Sequence, residues 1–189
     1  MVVRSDLMKA HYSDVLMAMC ETRRLSEITA SDVIKAAGTA RQTFYNHFSD
    51  LDDLVGYAAS RGLLTGARPV YDKENLRATY EYALAHRSFF NQIPSRIGPN
   101  DFRAATIRWL KESSYPLFIS DDMPRRERDY RRVRLDVYFV GEVNAIVDWF
   151  ASDMAMPVDT LLDAVWDSAP AFMKSVSAQT PTSMPTYPR

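Results

Sequence analysis

Cysteine and histidine are scarce in this chain of 189 residues. The single cysteine, Cys20, cannot form a disulfide within the chain, and we interpret it as a small core residue. The three histidines, His11, His47 and His86, are far apart in the sequence, which argues against a zinc site built from cysteine and histidine. We therefore expect no metal and no cofactor.

Glycine is also scarce, and its spacing excludes the common nucleotide-binding loops. The six glycines contain neither GxGxxG nor the phosphate-binding P-loop pattern. GxSxG, HExxH and a paired cysteine and histidine are missing too, so we expect no enzymatic activity. Because sheet proteins usually need glycine in their tight turns, this scarcity favours an all-α protein, and most of the ten prolines fall between predicted helices.

Long apolar runs are missing as well. No segment approaches the roughly 20 consecutive apolar residues that a membrane helix needs. Arg4, Asp6 and Lys9 stand where a signal peptide would be apolar, so we expect a cytoplasmic protein with no membrane partner. The remaining composition, 47% hydrophobic and 25% charged, is typical of a packed globular protein.

The N-terminal part of the chain predicts three helices in close succession. Apolar residues recur every three or four positions over residues 5–23, which predicts a first helix with one buried face. Thr29 is suited to cap a second helix over residues 30–37. Gly38 can adopt the left-handed conformation that ends a helix, and residues 39–48 are predicted to form the third.

The second and third predicted helices form a helix-turn-helix, a layout that inserts one helix into the major groove of DNA. Phe44 and Phe48 are four residues apart, so they can anchor one flank of the third helix in the core. The polar side chains of that helix then face outward and are candidates for DNA contact. They are Arg41, Gln42, Thr43, Tyr45, Asn46 and His47.

This segment resembles the N-terminal domain of the TetR family of one-component transcriptional repressors. The matching positions cover about a quarter of the chain, and residues 138–149 are weakly similar to the penultimate helix of one TetR subgroup. The resemblance implies an all-helical homodimer with a three-helix DNA-binding domain and a larger domain that dimerises and binds a small-molecule effector. The matching positions are Ile28, Thr29, Ala36, Ala37, Gly38, Arg41, Thr43, Phe44, Tyr45, His47, Phe48 and Leu54.

The resemblance also implies roles for individual residues on double-stranded operator DNA. Arg41, Gln42 and Thr43 are expected to reach base edges or phosphates, while Tyr45 and His47 contact the DNA backbone. Arginine suits guanine and glutamine suits adenine by their donors and acceptors. Thr29 is expected to help hold a phosphate at the start of the second helix, where N–H groups are free.

The charge of this region leaves a second hypothesis open. Residues 1–66 contain seven Lys and Arg against eight Asp and Glu, and Ala40 and Leu51 replace the serine and lysine usual in the family. Since phosphate neutralisation supplies most sequence-independent affinity, we expect weak non-specific DNA binding. The alternative is a protein with the TetR fold that binds a small molecule and has weak or no affinity for DNA.

Further helices, separated by prolines, are predicted in the rest of the chain. Residues 73–93 predict a helix ended by Pro94, and residues 101–113 predict one stopped by Pro116. The helix predicted over residues 128–152 has apolar residues on two sides and must be covered twice. A last helix follows Pro157, and Pro170 is expected to kink it.

Two features of this second half are candidates for ligand contact. The run of six arginines and two acids over residues 125–134 is interpreted as the ion-paired opening of a helix, with an anionic effector site as the alternative. Large side chains between the helices can line a small-molecule pocket, although core packing or the dimer interface remains an alternative for each. The pocket candidates are Trp109, Tyr115, Phe118, Tyr138, Glu142, Trp149 and Trp166.

The predicted organisation is a DNA-binding domain followed by a connector and an effector domain. The glycines of the connector, Gly56 and Gly62, make it a candidate for the element that moves, or for a site of close helix packing. The boundaries are 1–50 for the helix-turn-helix domain, 51–66 for the connector helix, 67–177 for the effector-binding and dimerisation domain, and 178–189 for a flexible tail.

Overall fold

Helices form all the regular structure that the computed structural model describes, which covers residues 4–64, 71–95 and 102–175. The all-α prediction is confirmed, with an N-terminal helix-turn-helix-like region and a larger helical part. Short 3₁₀ turns lie at Leu25–Glu27 and Ile93–Ser95. The helices are α1 (Arg4–Cys20), α2 (Ala30–Ala36), α3 (Arg41–Tyr45), α4 (Leu51–Leu64), α5 (Lys73–Ala85), α6 (Arg87–Phe90), α7 (Phe102–Phe118), α8 (Arg125–Ala151), α9 (Val158–Ser168) and α10 (Ala171–Ser175).

Helices α1, α2 and α3 pack their apolar faces against one another. Tyr12 and Leu16 of α1 are fully buried, as are Val33 of α2 and Phe44 of α3. Cys20 is buried at the end of α1, as expected for a small core residue. The spacing of the apolar residues therefore identified the inner faces of these helices correctly.

The turn between α2 and α3 depends on Gly38, which has a φ of +65°. The Gly38 N–H donates to the Lys35 carbonyl at 3.2 Å, and the Thr39 N–H donates to the Ile34 carbonyl at 3.3 Å. These two bonds form a Schellman motif, in which the left-handed residue reverses the chain direction. The predicted helix end at glycine is confirmed.

Helix α3 is shorter than the predicted 39–48 segment. It ends at Tyr45, and the chain beyond it forms a tighter turn. There the His47 N–H donates to the carbonyl of Phe44, three residues back, at 2.9 Å. The next helix starts soon after. Asp50 Oδ1 accepts from the Asp53 N–H at 2.8 Å, while Asp53 Oδ2 accepts from the Ser49 N–H at 3.0 Å, so Asp50 is the cap of α4.

The helix predicted over residues 73–93 is wrong in one respect, because the chain breaks at His86 (φ −115°, ψ 34°) into α5 and α6. The change of direction brings both Phe89 and Phe90 into the core, where the Phe90 ring lies 5.2 Å from that of Phe150. Pro94 lies in the following 3₁₀ turn and does not end the helix.

Pro116 does not stop α7, contrary to the prediction, and the helix continues to Phe118. A proline removes one helical hydrogen bond, here to the carbonyl of Glu112, and packing beyond it can offset the loss. Phe118 is buried, and its carbonyl accepts from Arg131 Nη1 at 3.1 Å. Contacts with α8 therefore hold the last turn in place.

Helix α8 is the longest described helix and has two unlike apolar sides. Leu135 and Phe139 are buried against the core, whereas Val133, Val137 and Val140 are 60%, 66% and 40% exposed. The second side is thus not covered by the described part of the chain. None of the described helices combines the length and the apolar character that crossing a bilayer requires.

The last helix is divided rather than kinked at Pro170. Helix α9 ends at Ser168, Ala169 is extended (φ −63°, ψ 137°), and α10 begins at Ala171. A proline clashes with the carbonyl four residues earlier and has no N–H to donate, which accounts for the interruption. The predicted flexible tail, 178–189, lies outside the described residues.

Candidate nucleic-acid interface and ligand site

Three aromatic rings hold α3 against α1. The rings of Tyr12 and Phe44 meet edge to face with centroids 5.3 Å apart, and those of Phe44 and Phe48 lie 5.6 Å apart. Phe44 is 0% and Phe48 2% exposed. The two phenylalanines therefore anchor one flank of α3, as their spacing predicted.

The opposite flank of α3 presents its polar side chains to solvent. Arg41, Gln42, Tyr45 and Asn46 are exposed. Gln42 Nε2 donates to Asn46 Oδ1 at 2.9 Å, and the Arg41 guanidinium lies 5.2 Å from the centre of the Tyr45 ring. These contacts lie at the surface between residues four apart, where each costs little to exchange for a contact with another molecule.

Thr43 and His47 are only half-buried, and neighbouring elements hold their end of the face. His47 Nδ1 lies 3.4 Å from Ser5 Oγ on α1, and the Tyr12 hydroxyl lies 2.6 Å from Thr39 Oγ1. Ser5 and Thr39 were not among the predicted site residues. Ser5 could not be identified from the sequence because its contact with His47 depends on how α1 packs on α3.

Thr29 caps α2 in a reciprocal arrangement with Asp32. The Thr29 hydroxyl donates to Asp32 Oδ2 at 2.7 Å, and the Thr29 N–H donates to the same oxygen at 2.9 Å. These two bonds hold the pKa of Asp32 below its usual range. The Asp32 carboxylate therefore occupies the N–H of Thr29 that the prediction had left free for a phosphate.

The two positions that depart from the family pattern also have structural roles. Ala40 precedes α3 without a side-chain cap, and its carbonyl accepts from the Thr43 N–H at 2.9 Å. Leu51 is half-buried and packs against the core at the start of α4. Neither residue offers a polar group to a phosphate.

The seven pocket candidates do not form one group. Tyr138 and Trp166 both contact Tyr71, whose ring is 5.6 Å from Tyr138 and stacked 5.7 Å from Trp166. Trp149 lies 6.2 Å from Tyr80. Rings from α5, α8 and α9 and from the segment before α5 are thus brought together.

Trp109, Tyr115 and Phe118 lie on α7 instead. The Tyr115 hydroxyl donates to Asp136, and burial together with this bond raises the pKa of Tyr115 to about 12. Phe118 lies 6.1 Å from Phe172 of α10. Trp109 is buried but is not part of the main core cluster. Phe118 and Tyr115 pack against the same hydrophobic core as Tyr80, Tyr138 and Trp149, but the described ring contacts do not join them directly to those rings.

At the centre of the aromatic group is a buried polar set that we name the Glu142 cluster: Glu142, Tyr138 and Tyr80. Glu142 is 7%, Tyr138 6% and Tyr80 1% exposed. Glu142 Oε2 and both hydroxyls lack a hydrogen bond of good geometry in the part of the chain that the structure describes, although the Tyr138 hydroxyl interacts with the Glu142 carboxyl. Tyr80 was missed because only the packing of α5 on α8 places it near Glu142.

Burial dominates the electrostatics of this cluster. It raises the pKa of Glu142 to about 7, and the nearby Tyr138 hydroxyl opposes the shift only in part. Burial and the Glu142 charge raise the pKa values of Tyr80 and Tyr138 far above the usual range. The cluster therefore contains one carboxyl group that titrates near neutral pH and two hydroxyls that remain protonated.

The arginine-rich start of α8 is ion-paired. Arg128 lies 3.4 Å from Asp121, and Arg131 lies 2.7 Å from Glu127 and over the ring of Phe172. These contacts support the interpretation of the run as the charged opening of a helix. No group of three or more His, Cys, Asp or Glu side chains suited to a metal occurs within residues 4–64, 71–95 and 102–175.

Comparison with known proteins supports the fold and leaves the family open. The chain matches no family model and no curated protein sequence. A solved structure, described as "Dihydroxyacetone kinase operon activator DhaS", superimposes over 92% of this chain and 98% of its own with a TM-score of 0.59 and 14% sequence identity. The chain thus shares an all-helical fold with that structure.

Proposed function

We propose that the protein is a cytoplasmic TetR-type transcriptional regulator, most simply a repressor. It binds a palindromic operator as a homodimer and is released by a small-molecule effector. In this proposal residues 1–50 bind DNA, residues 51–66 connect, and residues 67–177 bind the effector and dimerise. The regulator fold of the structural neighbour supports this class of function over an enzymatic one.

The observation that carries the proposal is the two-sided character of α3. Phe44 of α3 and Phe48 just beyond it are buried in the core, while Arg41, Gln42 and Tyr45 of the same short helix are exposed. A helix held in this way can enter a major groove without losing its packing. Thr43, Asn46 and His47 complete the proposed DNA contacts, and Thr29 is proposed to contact a phosphate at the start of α2.

A homodimer is supported by the uncovered side of α8. Val133, Val137 and Val140 form an exposed apolar stripe, and Tyr130 extends it at 57% exposure. Apolar stripes of this kind on a long helix usually pack against a second helix. Replacing Val137 by Glu is expected to convert the dimer to a monomer, as measured by light scattering after gel filtration.

Helix α4 is the proposed link between effector and DNA. It contacts α1 in the N-terminal part and α5 and α7 in the larger part. Part of its contact with α1 is the ion pair between Arg61 and Asp14, at 2.6 Å. An effector can release DNA only if it binds the two states of the dimer with different affinity. We propose that movement of α4 transmits the effect of effector binding to α3.

DNA binding is tested by genomic selection at low salt, followed by fluorescence anisotropy on the selected duplex. The double variant Arg41→Ala, Tyr45→Ala is expected to weaken operator binding at least about tenfold, because it removes a base or phosphate donor and a backbone contact. A salt series measures how many phosphates are neutralised.

The matched control is Arg126→Ala, which removes one exposed arginine from the start of α8 and changes the net charge equally. It is expected to leave operator affinity unchanged. Equal losses in both variants would mean that net charge, and not the α3 face, governs binding. Circular dichroism and light scattering establish that both variants keep the fold and the dimer.

The second candidate is a protein of this fold that binds a small molecule without reading DNA. The near balance of basic and acidic residues in residues 1–66 favours it. Asp50 and Asp53 take part in capping α4, so their presence has a structural explanation as well. Failure of genomic selection, in a protein that still binds a ligand, would establish this candidate instead.

A further inference from the structure

The Glu142 cluster is destabilising for the protein on its own. Glu142 Oε2, the Tyr138 hydroxyl and the Tyr80 hydroxyl are buried, and none of them has a hydrogen bond of good geometry among the described residues, although the Tyr138 hydroxyl is close enough to Glu142 to oppose part of the rise in its pKa. A buried polar group without a partner destabilises the folded chain, and a charged one does so more strongly. Such groups are rare in folded proteins, and a bound molecule that contacts them is one explanation.

Two aromatic side chains approach Glu142, and further rings lie beside those two. Tyr138 is four residues earlier on α8, and Tyr80 approaches from α5, each near enough to interact with the Glu142 charge. Trp149 lies beside Tyr80, with ring centroids 6.2 Å apart, and Tyr71 lies beside Tyr138 at 5.6 Å. A negative group among aromatic rings is the chemistry that attracts a cation, because the ring faces carry negative potential.

We propose that the Glu142 cluster binds a small organic cation, an ammonium compound, with the Glu142 carboxylate as its counter-ion and the rings of Tyr80, Tyr138 and Trp149 around it. This inference rests on the proposed function, since it names the chemical class of the effector. A cation supplies the charge that the site lacks, whereas an anion would add repulsion at Glu142. A neutral ligand would leave the carboxylate uncompensated.

The protonation states of Glu142 and its two tyrosine neighbours also favour a cationic ligand. Among the described residues, the titratable groups that act on Glu142 are Tyr138 on α8 and Tyr80 on α5, and both hold their protons at neutral pH. A bound cation favours the ionised carboxyl and lowers its pKa. Ammonium binding is therefore expected to strengthen as pH rises towards about 8.

The test uses the full chain and three probes: choline, tetraethylammonium and benzyltrimethylammonium. Binding is measured by calorimetry and by tryptophan fluorescence at about pH 8. Dimethylbutanol, the uncharged carbon analogue of choline, is the ligand control. We expect at least one ammonium probe to saturate in the millimolar range or below, and dimethylbutanol to bind at least about tenfold more weakly than choline.

The variant Glu142→Gln keeps the shape of the side chain and removes its charge. It is expected to bind the ammonium probe at least about tenfold more weakly. Glu112→Gln, which changes an exposed glutamate of α7, is the matched control and should bind like the original chain.

Three results would overturn the proposal: no saturation with any ammonium probe at about 10 mM, equal binding to Glu142→Gln, or equal binding of choline and dimethylbutanol. The assay contains no DNA, so its outcome is separate from that of the proposed function. A chain that binds an ammonium probe but selects no operator would keep this site and reject the regulator. An operator complex with no ammonium binding would do the reverse.

Discussion

The polar groups of α3 and those of the Glu142 cluster are in opposite situations. On α3 they are exposed and satisfied by neighbours four residues away, such as Gln42 with Asn46 at 2.9 Å. In the cluster they are buried, and Glu142 Oε2 and the Tyr138 hydroxyl have no hydrogen bond of good geometry among the described residues. Both arrangements suit binding, but only the buried polar groups of the cluster lower the stability of the unliganded chain.

For α3, the anchor is apolar and the contact groups are exchangeable, so the fold does not depend on the groups that would read DNA. For the Glu142 cluster, the contact groups are part of the interior, so the unliganded chain bears the cost of burying them. We therefore expect changes at the α3 surface to alter binding with little effect on stability. Changes at Glu142 should alter both.

The largest effect is expected for the anchor of α3. Phe44→Ala should lower the free energy of unfolding by about 3–5 kcal/mol, because it empties a fully buried site between Tyr12 and Phe48. Tyr45→Ala, its exposed neighbour, is the control and should lower it by less than about 1 kcal/mol. Chemical denaturation measures both. Similar losses in the two variants would break the division of α3 into an anchor and a contact face.

The next largest effect is expected for Glu142→Gln, which should raise the free energy of unfolding instead of lowering it, by an amount that depends on pH. The pKa of Glu142 in the folded chain, about 7, is above its ordinary value of 4.5, so the folded state favours the protonated form. The stability that this group contributes is fully present when the pH is below its ordinary pKa of 4.5, and it is lost as the pH rises to about 7. Glu142→Gln, which stays neutral, should raise the free energy of unfolding by up to about 3 kcal/mol at about pH 8 and by little at about pH 4.

Thermal and urea unfolding across this pH range, with Glu112→Gln as the exposed control, measure the Glu142 effect. A loss of stability at high pH in Glu142→Gln would show that the carboxylate is favourable where it lies. The cluster would then resemble the α3 face, with its polar groups satisfied, and the contrast between the two regions would fail.

The smallest effects come from one glycine in each region. Gly38 has a φ of +65°, and no atom lies within 4 Å of the point that a Cβ would occupy, so Gly38→Ala should cost about 1 kcal/mol through backbone strain alone. Gly141 lies within α8 and has the same open space around an added Cβ, so Gly141→Ala should add up to about 1 kcal/mol through helix propensity.

Differential scanning calorimetry compares these two substitutions under the same conditions. Opposite signs are expected. A destabilised Gly141→Ala accompanied by dissociation of the proposed homodimer would mean that a second copy passes close to this turn of α8. That result would extend the proposed interface from the valine stripe to the glycine.

The sequence predicted best those features that depend on near neighbours. Gly38, Thr29 and the pair Phe44 and Phe48 could be assigned because a turn, a cap and an anchor each involve residues only a few positions apart. The break at His86 could not, because it depends on where Phe90 finds space against Phe150. Local preference yields to tertiary packing at such positions.

The residues of the proposed ligand site divide in the same way. Tyr138 and Glu142 were both among the pocket candidates, and they lie four residues apart on one helix. Tyr80 was not among the pocket candidates, because its position near Glu142 depends on how separate helices pack, and Tyr115 was among them although its described hydrogen bond is with Asp136. The count of aromatic side chains showed that a ligand site was feasible, but their arrangement could come only from the fold.

Burial of the Cys20 thiol leaves the surface of the chain open to selective labelling. Buried thiols react slowly, so a cysteine introduced at the exposed position of Asn46 would take up a nitroxide label almost alone. Two such labels in a homodimer report the separation of the two α3 helices, which should be about 34–36 Å for insertion into successive major grooves. A shift of that spacing on adding an ammonium compound would follow regulation in solution without any knowledge of the operator.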